Sequence, residues 1–175
     1  MTHISAQNPF SGLKIFGYDF IMADPPWHFL NWSEAGEGKN ATAHYECSSL
    51  DLIKAQPVGH LAKPDAVLML WATNPMLPQA FEVMAAWGFE FKTAGHWVKR
   101  TKNNLLAFGT GYILRCAGEP FLIGTLGKPK TAKNVRSVFE GQVREHSRKP
   151  EEAFEWAEKL LPNAAGRVEL YSRGW

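Results

Sequence analysis

Residues 66–71 form an unbroken apolar run, AVLMLW. Successive side chains of a strand point to opposite faces, so a half-exposed strand alternates apolar and polar residues. A run without alternation suits a strand covered on both faces, as in a mainly parallel sheet between helices. Residues 16–22, FGYDFIM, read as a second such strand. It stops at Asp24-Pro25-Pro26, where two prolines cannot donate to a ladder. Further strands are expected over 89–98, 120–126 and 167–171, with a weaker one over 135–139.

Helical signals fall between these strands. Ser49 is placed to cap a short helix over 50–55. Leu77, Phe81, Met84 and Ala85 follow helical spacing up to Gly88, which suits a C′ glycine. Ser147 reads as the N-cap of a last helix, with Pro150 near its first turn and Glu151 and Glu152 at its positive end. Phe154, Ala157 and Leu161 form the expected buried stripe of that helix, and Pro162 stops it. Strands alternating with helices predict an α/β domain with a mainly parallel sheet flanked by helices. Ligands of such sheets sit beyond the carboxyl ends of the strands, which puts Asp24 and the residues after Tyr171 at the working edge.

Composition narrows the class further. A chain of 175 residues, 45% hydrophobic and 21% charged with net charge +2, suits one globular domain over 1–175 and not a disordered segment. No apolar run reaches the roughly 18 residues of a membrane span, and residues 1–12 lack the pattern of a secretory signal. Cys47 and Cys116 have no ligand spacing, and the histidines show no ligand pairing. The expectation is therefore no metal and a reducing, cytoplasmic setting.

Residues 30–43 and 103–111 read as loops, and the charge is unevenly spread. Lys128, Lys130, Lys133, Arg136, Arg144, Arg148 and Lys149 face only Glu140 and Glu145 over 128–149. Lys99, Arg100 and Lys102 form a second basic stretch. Such stretches are either solvated surface or a polyanion-facing track.

Asp24-Pro25-Pro26-Trp27 carries the most chemistry. The prolines fix the backbone and leave carbonyls without a neighbouring N–H to compete for them. The Asp24 carboxylate and the Pro25 carbonyl can then both accept from one NH₂ group, while Trp27 offers a surface for stacking a heterocycle. An exocyclic amine of a nucleobase is a poor nucleophile because its lone pair is delocalised into the ring. Binding both N–H bonds favours a pyramidal nitrogen, and a fixed carboxylate stabilises the positive charge that grows as a methyl is attached. In-line positioning supplies the rest, with no metal and no covalent intermediate.

The sequence resembles the adenosine methyltransferase family that includes the catalytic subunit of messenger-RNA N6-adenosine methyltransferase and bacterial and phage DNA N6-adenine methyltransferases. Besides Asp24-Pro25-Pro26-Trp27, the likeness takes in His44-Tyr45, Leu70-Trp71-Ala72-Thr73-Asn74, Trp87-Gly88-Phe89, Trp97-Val98-Lys99 and Gly109-Thr110-Gly111-Tyr112. It continues through Gly118-Glu119, His146-Ser147-Arg148-Lys149-Pro150-Glu151 and Glu169-Leu170-Tyr171-Ser172-Arg173, in the family's order. The resemblance implies a Rossmann-like fold that uses S-adenosylmethionine, with the catalytic motif ahead of much of the cofactor-binding sequence in a permuted order.

By that likeness, Asp24, Pro25, Pro26 and Trp27 are the catalytic set. Tyr45, Lys99 and Glu119 lie near the incoming nucleotide together with Trp27 and Lys149. Lys149 also meets the cofactor's carboxylate, Arg173 its ribose side, and Gln7 and Asn8 its adenine by backbone. Asp24, Ser147 and Glu169 complete the implied cofactor set. Family members continue past the match to Arg173 with a tryptophan-containing segment ending in polar amides, and this sequence ends at Gly174-Trp175.

The resulting expectation is methylation of adenine N6 in DNA, with a flipped or single-stranded target. Base specificity then falls to loops 29–44 and 100–111, to a second copy or to a partner subunit. RNA adenine, cytosine N4 and a non-catalytic nucleic-acid-binding subunit are the rival readings.

Overall fold

The computed structural model describes residues 2–5, 10, 12–27, 50–145 and 148–172. Its elements in chain order are β1 (Thr2–Ser5), β2 (Tyr18–Ala23), α1 (Leu50–Lys54), β3 (Ala62–Trp71), α2 (Leu77–Ala86), β4 (Glu90–Arg100), β5 (Gly118–Leu126), β6 (Val138–Gln142), α3 (Glu151–Leu160) and β7 (Arg167–Ser172). The strands form one sheet in the order β1-β7-β2-β3-β5-β4-β6.

The unbroken apolar run does sit in a strand covered on both faces. Ala66, Leu68 and Leu70 of β3 join Ile21, Ala23, Val168 and Leu170 on one face, packed on Ile53 of α1 and on Ala80, Val83 and Met84 of α2. Val67, Met69 and Trp71 join Phe20, Met22, Phe121 and Ile123 on the other, beneath Ala153, Trp156 and Ala157 of α3. Each large apolar side chain buried this fully contributes roughly 1.5–3 kcal/mol. Much of the aromatic load is spent on the α3 face. Trp71 meets Phe121 edge-on at 5.3 Å, and Phe121 meets Trp156 at 5.0 Å. Two indoles on this face are satisfied by backbone: Trp97 donates to the Gly141 carbonyl at 3.0 Å and Trp156 to that of Arg136 at 2.7 Å, whereas the buried Trp71 N–H has no partner among the described residues.

The sheet is mixed where the sequence predicted a mainly parallel one. Pairings β1–β7, β7–β2, β2–β3 and β4–β6 are parallel, but β5 runs antiparallel to both β3 and β4. No helix separates β4 from β5 or β5 from β6, so the chain reverses there instead of crossing over.

Local expectations also shift. Residues 16–17 fall outside β2: Phe16 has φ 52° and is exposed. The weak strand lies at Val138–Gln142 and not at 135–139. On α2, Phe81 and Ala85 face outward, and Phe81 packs edge-on against Phe91 at 4.8 Å. Gly88 does end this helix, at φ 86° where a side chain would strain the backbone. The N-cap position of α3 is Pro150 and not Ser147, so no side chain caps it; Glu151 and Glu152 face the positive end of the dipole instead. Strand β1, which adds to β7 at one edge, had no signal in the sequence.

Candidate active site

Six strands of the sheet run the same way, so their carboxyl ends share one edge, and the reversed β5 brings its first residues to that edge. Asp24 follows the carboxyl end of β2, with its N–H donating to the Leu170 carbonyl of β7 at 3.3 Å. Glu119 stands at the start of β5, in register with Trp97 of β4, and Lys99 lies two residues further along β4. Lys149 directly precedes the Pro150 cap of α3. Side chains at alternate positions share a face, which puts Glu119 with Phe121 and Lys99 with Trp97, all toward α3.

These four side chains form one chain of charge. The Lys149 ammonium lies 3.2 Å from Asp24 Oδ2 and also donates to Glu119 Oε1, and Glu119 Oε2 is 3.1 Å from the Lys99 ammonium. Lys149 is the deepest, its side chain 4% exposed against 15% for Glu119 and 16% for Asp24. Both ammoniums also sit over indole faces, Lys149 4.6 Å from the Trp71 ring and Lys99 4.8 Å from that of Trp97.

Burial alone would push the Glu119 pKa up, but Lys149 and then Lys99 outweigh it and hold the carboxyl below its usual range. Burial would likewise push Lys149 down, but Asp24 and Glu119 outweigh it and hold the ammonium above the ordinary lysine value. Both groups are therefore charged at neutral pH.

The Pro25 carbonyl differs from the sequence reading. The Trp27 N–H donates to it at 2.8 Å, so a neighbouring N–H does compete. The spacing is that of a three-residue turn, and the fixed φ of Pro26 suits its central position. A carbonyl oxygen has a second lone pair, so the bond narrows its accepting direction without removing it. Trp27 is buried at 4% exposure within the α1–α2 side of the core, and its indole N–H donates to the Trp71 carbonyl at 2.7 Å. It is an anchored wall of the turn and not an open stacking platform.

Glu169 is buried in the middle of β7, in register with Met22, so it lies on the same face as Asp24 and one step below it. Gln7, Asn8, Tyr45, Ser147 and Arg173 lie outside the described residues. Of the expected basic track, Arg100 is paired with Glu140, and Arg144 and Arg148 with Glu151. Cys116 donates its thiol to the Gly118 carbonyl at 3.0 Å. Among the described residues no three His, Cys, Asp or Glu side chains gather where they could hold a metal, and no helix is long and apolar enough to cross a membrane.

Two residues were quoted in the sequence motifs without a role. Trp71 supplies the face beneath Lys149. Tyr171 is the next-to-last residue of β7 and follows the Leu170 that binds Asp24; its φ is 61°, and its buried hydroxyl has no hydrogen-bond partner among the described residues. Burial pushes that hydroxyl's pKa up, so it is a neutral donor. Positive φ at a bulky residue and an unpaired buried donor are each uncommon, and Tyr171 has both.

The chain is an α/β domain with a carboxylate–proline turn at the carboxyl edge of its sheet, held by a buried lysine. The MT-A70 family matches residues 18–175, and the chain belongs to this family of S-adenosylmethionine-dependent N6-adenine methyltransferases. It is 27% identical over 180 residues to the type II methyltransferase M.MunI of Mycoplasma sp, covering 90% of this chain and 75% of that protein. It is 29% identical over 159 residues to the N(6)-adenosine-methyltransferase MT-A70-like protein of Arabidopsis thaliana, and 27% over 157 residues to the human N(6)-adenosine-methyltransferase catalytic subunit METTL3. The chain spans only 22% and 25% of the lengths of those two.

Proposed function

We propose that this protein transfers a methyl group to the N6 amine of adenine in DNA, with Asp24 as the group that holds the amine. The observation that carries the reading is Asp24 at the carboxyl edge of the sheet, fixed by its backbone bond to β7 and by Lys149. The likeness to M.MunI along most of both chains favours DNA; the relatives named for adenosine methylation match over a smaller part of their length.

S-adenosylmethionine, when bound, supplies an electrophilic methyl on a sulfonium. Of the residues present, Lys149 offers a cation for such a donor's carboxylate, and Tyr171, which follows the Leu170 whose carbonyl binds Asp24, a buried hydroxyl without a partner among the described residues. Gln7, Asn8, Ser147, Glu169 and Arg173 are the remaining residues the family likeness assigns to it.

Asp24 and the second lone pair of Pro25 accept the two N–H bonds of the amine, which orients the nitrogen lone pair and disperses the charge that grows on it. Lys149 holds the Asp24 carboxylate at a fixed angle, and Glu119 keeps Lys149 in place. Trp27, tied to the Trp71 carbonyl, makes the turn rigid. By the family likeness Tyr45, Lys99 and Glu119 are the residues that meet the base, which must leave a duplex or come from a single strand.

Purified protein, labelled cofactor and adenine-containing DNA or RNA, followed by digestion and nucleoside analysis, tests this. N6-methyladenine in DNA is the expected product. Product in RNA alone would move the substrate, and methylated cytosine would remove the adenine assignment.

A further inference from the structure

Residues 101–117 leave the sheet at Lys99–Arg100 of β4 and return at Gly118–Glu119 of β5, so both roots of this segment are in the site. The segment is built, not loose. Ala107 N–H donates to the Lys99 carbonyl at 2.8 Å and Lys99 N–H to that of Ala117 at 2.9 Å. Further out, Gly109 N–H donates to the Cys116 carbonyl at 2.8 Å and Cys116 N–H to that of Thr110 at 3.0 Å, closing a tongue over 109–116. Gly111 is required at its bend, because a Cβ there would lie 1.9 Å from the Leu114 carbonyl oxygen.

This fixed backbone holds apolar side chains out in water. Tyr112, Ile113, Leu114 and Phe108 are each more than 80% exposed, and Leu105 and Leu106 more than half. Scattered exposed leucines are ordinary, but a contiguous set on an ordered tongue marks a surface that something covers. Charge selects among occupants. No acid occurs between Glu90 and Glu119, while Lys102 and Arg115 lie on the segment, and among the described residues neither is ion-paired. Arg115 instead braces the bend by donating to the Gly111 carbonyl at 3.0 Å. A symmetric pairing of two copies through the tongue would set these cations against each other. A polyanion has no such conflict.

We infer that the tongue is a nucleic-acid wedge: Tyr112, with Ile113 and Leu114, fills the gap that an extruded target base leaves in a duplex, while Lys102 and Arg115 meet the flanking phosphates. This rests on the reading of the site as one that takes a nucleobase. Apolar side chains inserted between base steps offset lost stacking, and the tongue's roots at Lys99 and Glu119 put the filled gap beside the place where the base is received.

The test compares the wild type with Tyr112→Ala and with Tyr112→Ser/Ile113→Ser/Leu114→Ser, with circular dichroism reporting fold. Substrates are an adenine oligonucleotide as a single strand, as a matched duplex, and as a duplex with an abasic site opposite the adenine. Methylation of the matched duplex should fall about tenfold or more, the scale of one lost stacking contact. The single strand and the abasic duplex should lose little. With 2-aminopurine at the target, the wild type should raise duplex fluorescence on binding and the triple variant should not.

Equal losses on all three substrates, no loss on any, or a wild type that ignores duplexes would overturn the wedge. So would a wild-type dimer that the triple variant converts to monomer by sedimentation while duplex preference is unchanged. A wild type that methylates nothing removes the proposed reaction, and the fluorescence arm still decides the wedge.

Discussion

The ammonium of Lys149 lies 3.2 Å from Oδ2 of Asp24, deeper in the protein than the carboxylate it holds. With Glu119 on its other side, Lys149 separates two carboxylates that would otherwise repel across a buried space. Removing one partner of a buried ionic group is more costly than removing the group entirely, by about 3–5 kcal/mol for the uncompensated case. Lys149→Ala should therefore lose stability on that scale in urea denaturation. Lys149→Met combined with Glu119→Gln should recover a large part of it, whereas equal loss in both would refute the bridging role.

Stability should depend on pH through the same pair. The folded Glu119 has a lowered pKa, so its contribution is complete above the ordinary glutamate value of 4.5 and drains away as pH falls toward the folded value. The folded Lys149 has a raised pKa, so its contribution is complete below 10.5 and is lost as pH rises through the folded value. Denaturation midpoints should form a plateau between these limits with loss on both sides. Glu119→Gln should flatten the acid limb relative to the wild type; an unchanged acid limb would exclude Glu119 as its source.

Legibility in the sequence followed the range of the cause. The stop after β2 is local, since two prolines end a ladder wherever they stand, and Asp24 was found from it. The two-sided burial of β3 was readable from its lack of alternation. The direction of β5 was not, because Gly118–Leu126 is as apolar as a parallel strand and its reversal is set by the segment before it. Strand β6 lies at the edge and is only partly covered, so its pattern blurred and the expected position slipped by about one turn of chain. Periodicity found α2 but not its rotation, because Phe81 has a surface partner in Phe91. The site itself joins residues from four separate elements. Spacing carries no trace of such contacts, and only the family likeness pointed to Lys99, Glu119 and Lys149 together.

The carboxylate of Asp24 should be essential in a way its shape is not. Asp24→Asn keeps the outline and can still accept, but it loses the charge that stabilises the developing cation on nitrogen. It also leaves Lys149 with Glu119 alone on the buried side. Methyl transfer should fall by about 10²–10³, the scale for removing one electrostatic stabiliser at a reacting centre. Single-turnover kinetics with S-adenosylhomocysteine affinity measured in parallel would check it: an affinity that collapses along with the rate would reassign Asp24 from the amine to the cofactor.

Tyr171 separates stability from ligand binding. Its hydroxyl is buried without a partner among the described residues, and a buried unpaired polar group costs roughly 1–3 kcal/mol. Tyr171→Phe deletes that oxygen and keeps the ring within the core, so the free protein should unfold at a higher temperature than the wild type. If the hydroxyl is kept for a ligand at the carboxyl edge of the sheet, the same change should weaken S-adenosylhomocysteine by about tenfold in calorimetry, the worth of one hydrogen bond in a dry site. The paired outcome, a more stable apoprotein that binds less tightly, is what a purely structural tyrosine would not produce. Stabilisation with unchanged affinity would leave the strained φ of 61° without a cofactor role and would remove Tyr171 from the site.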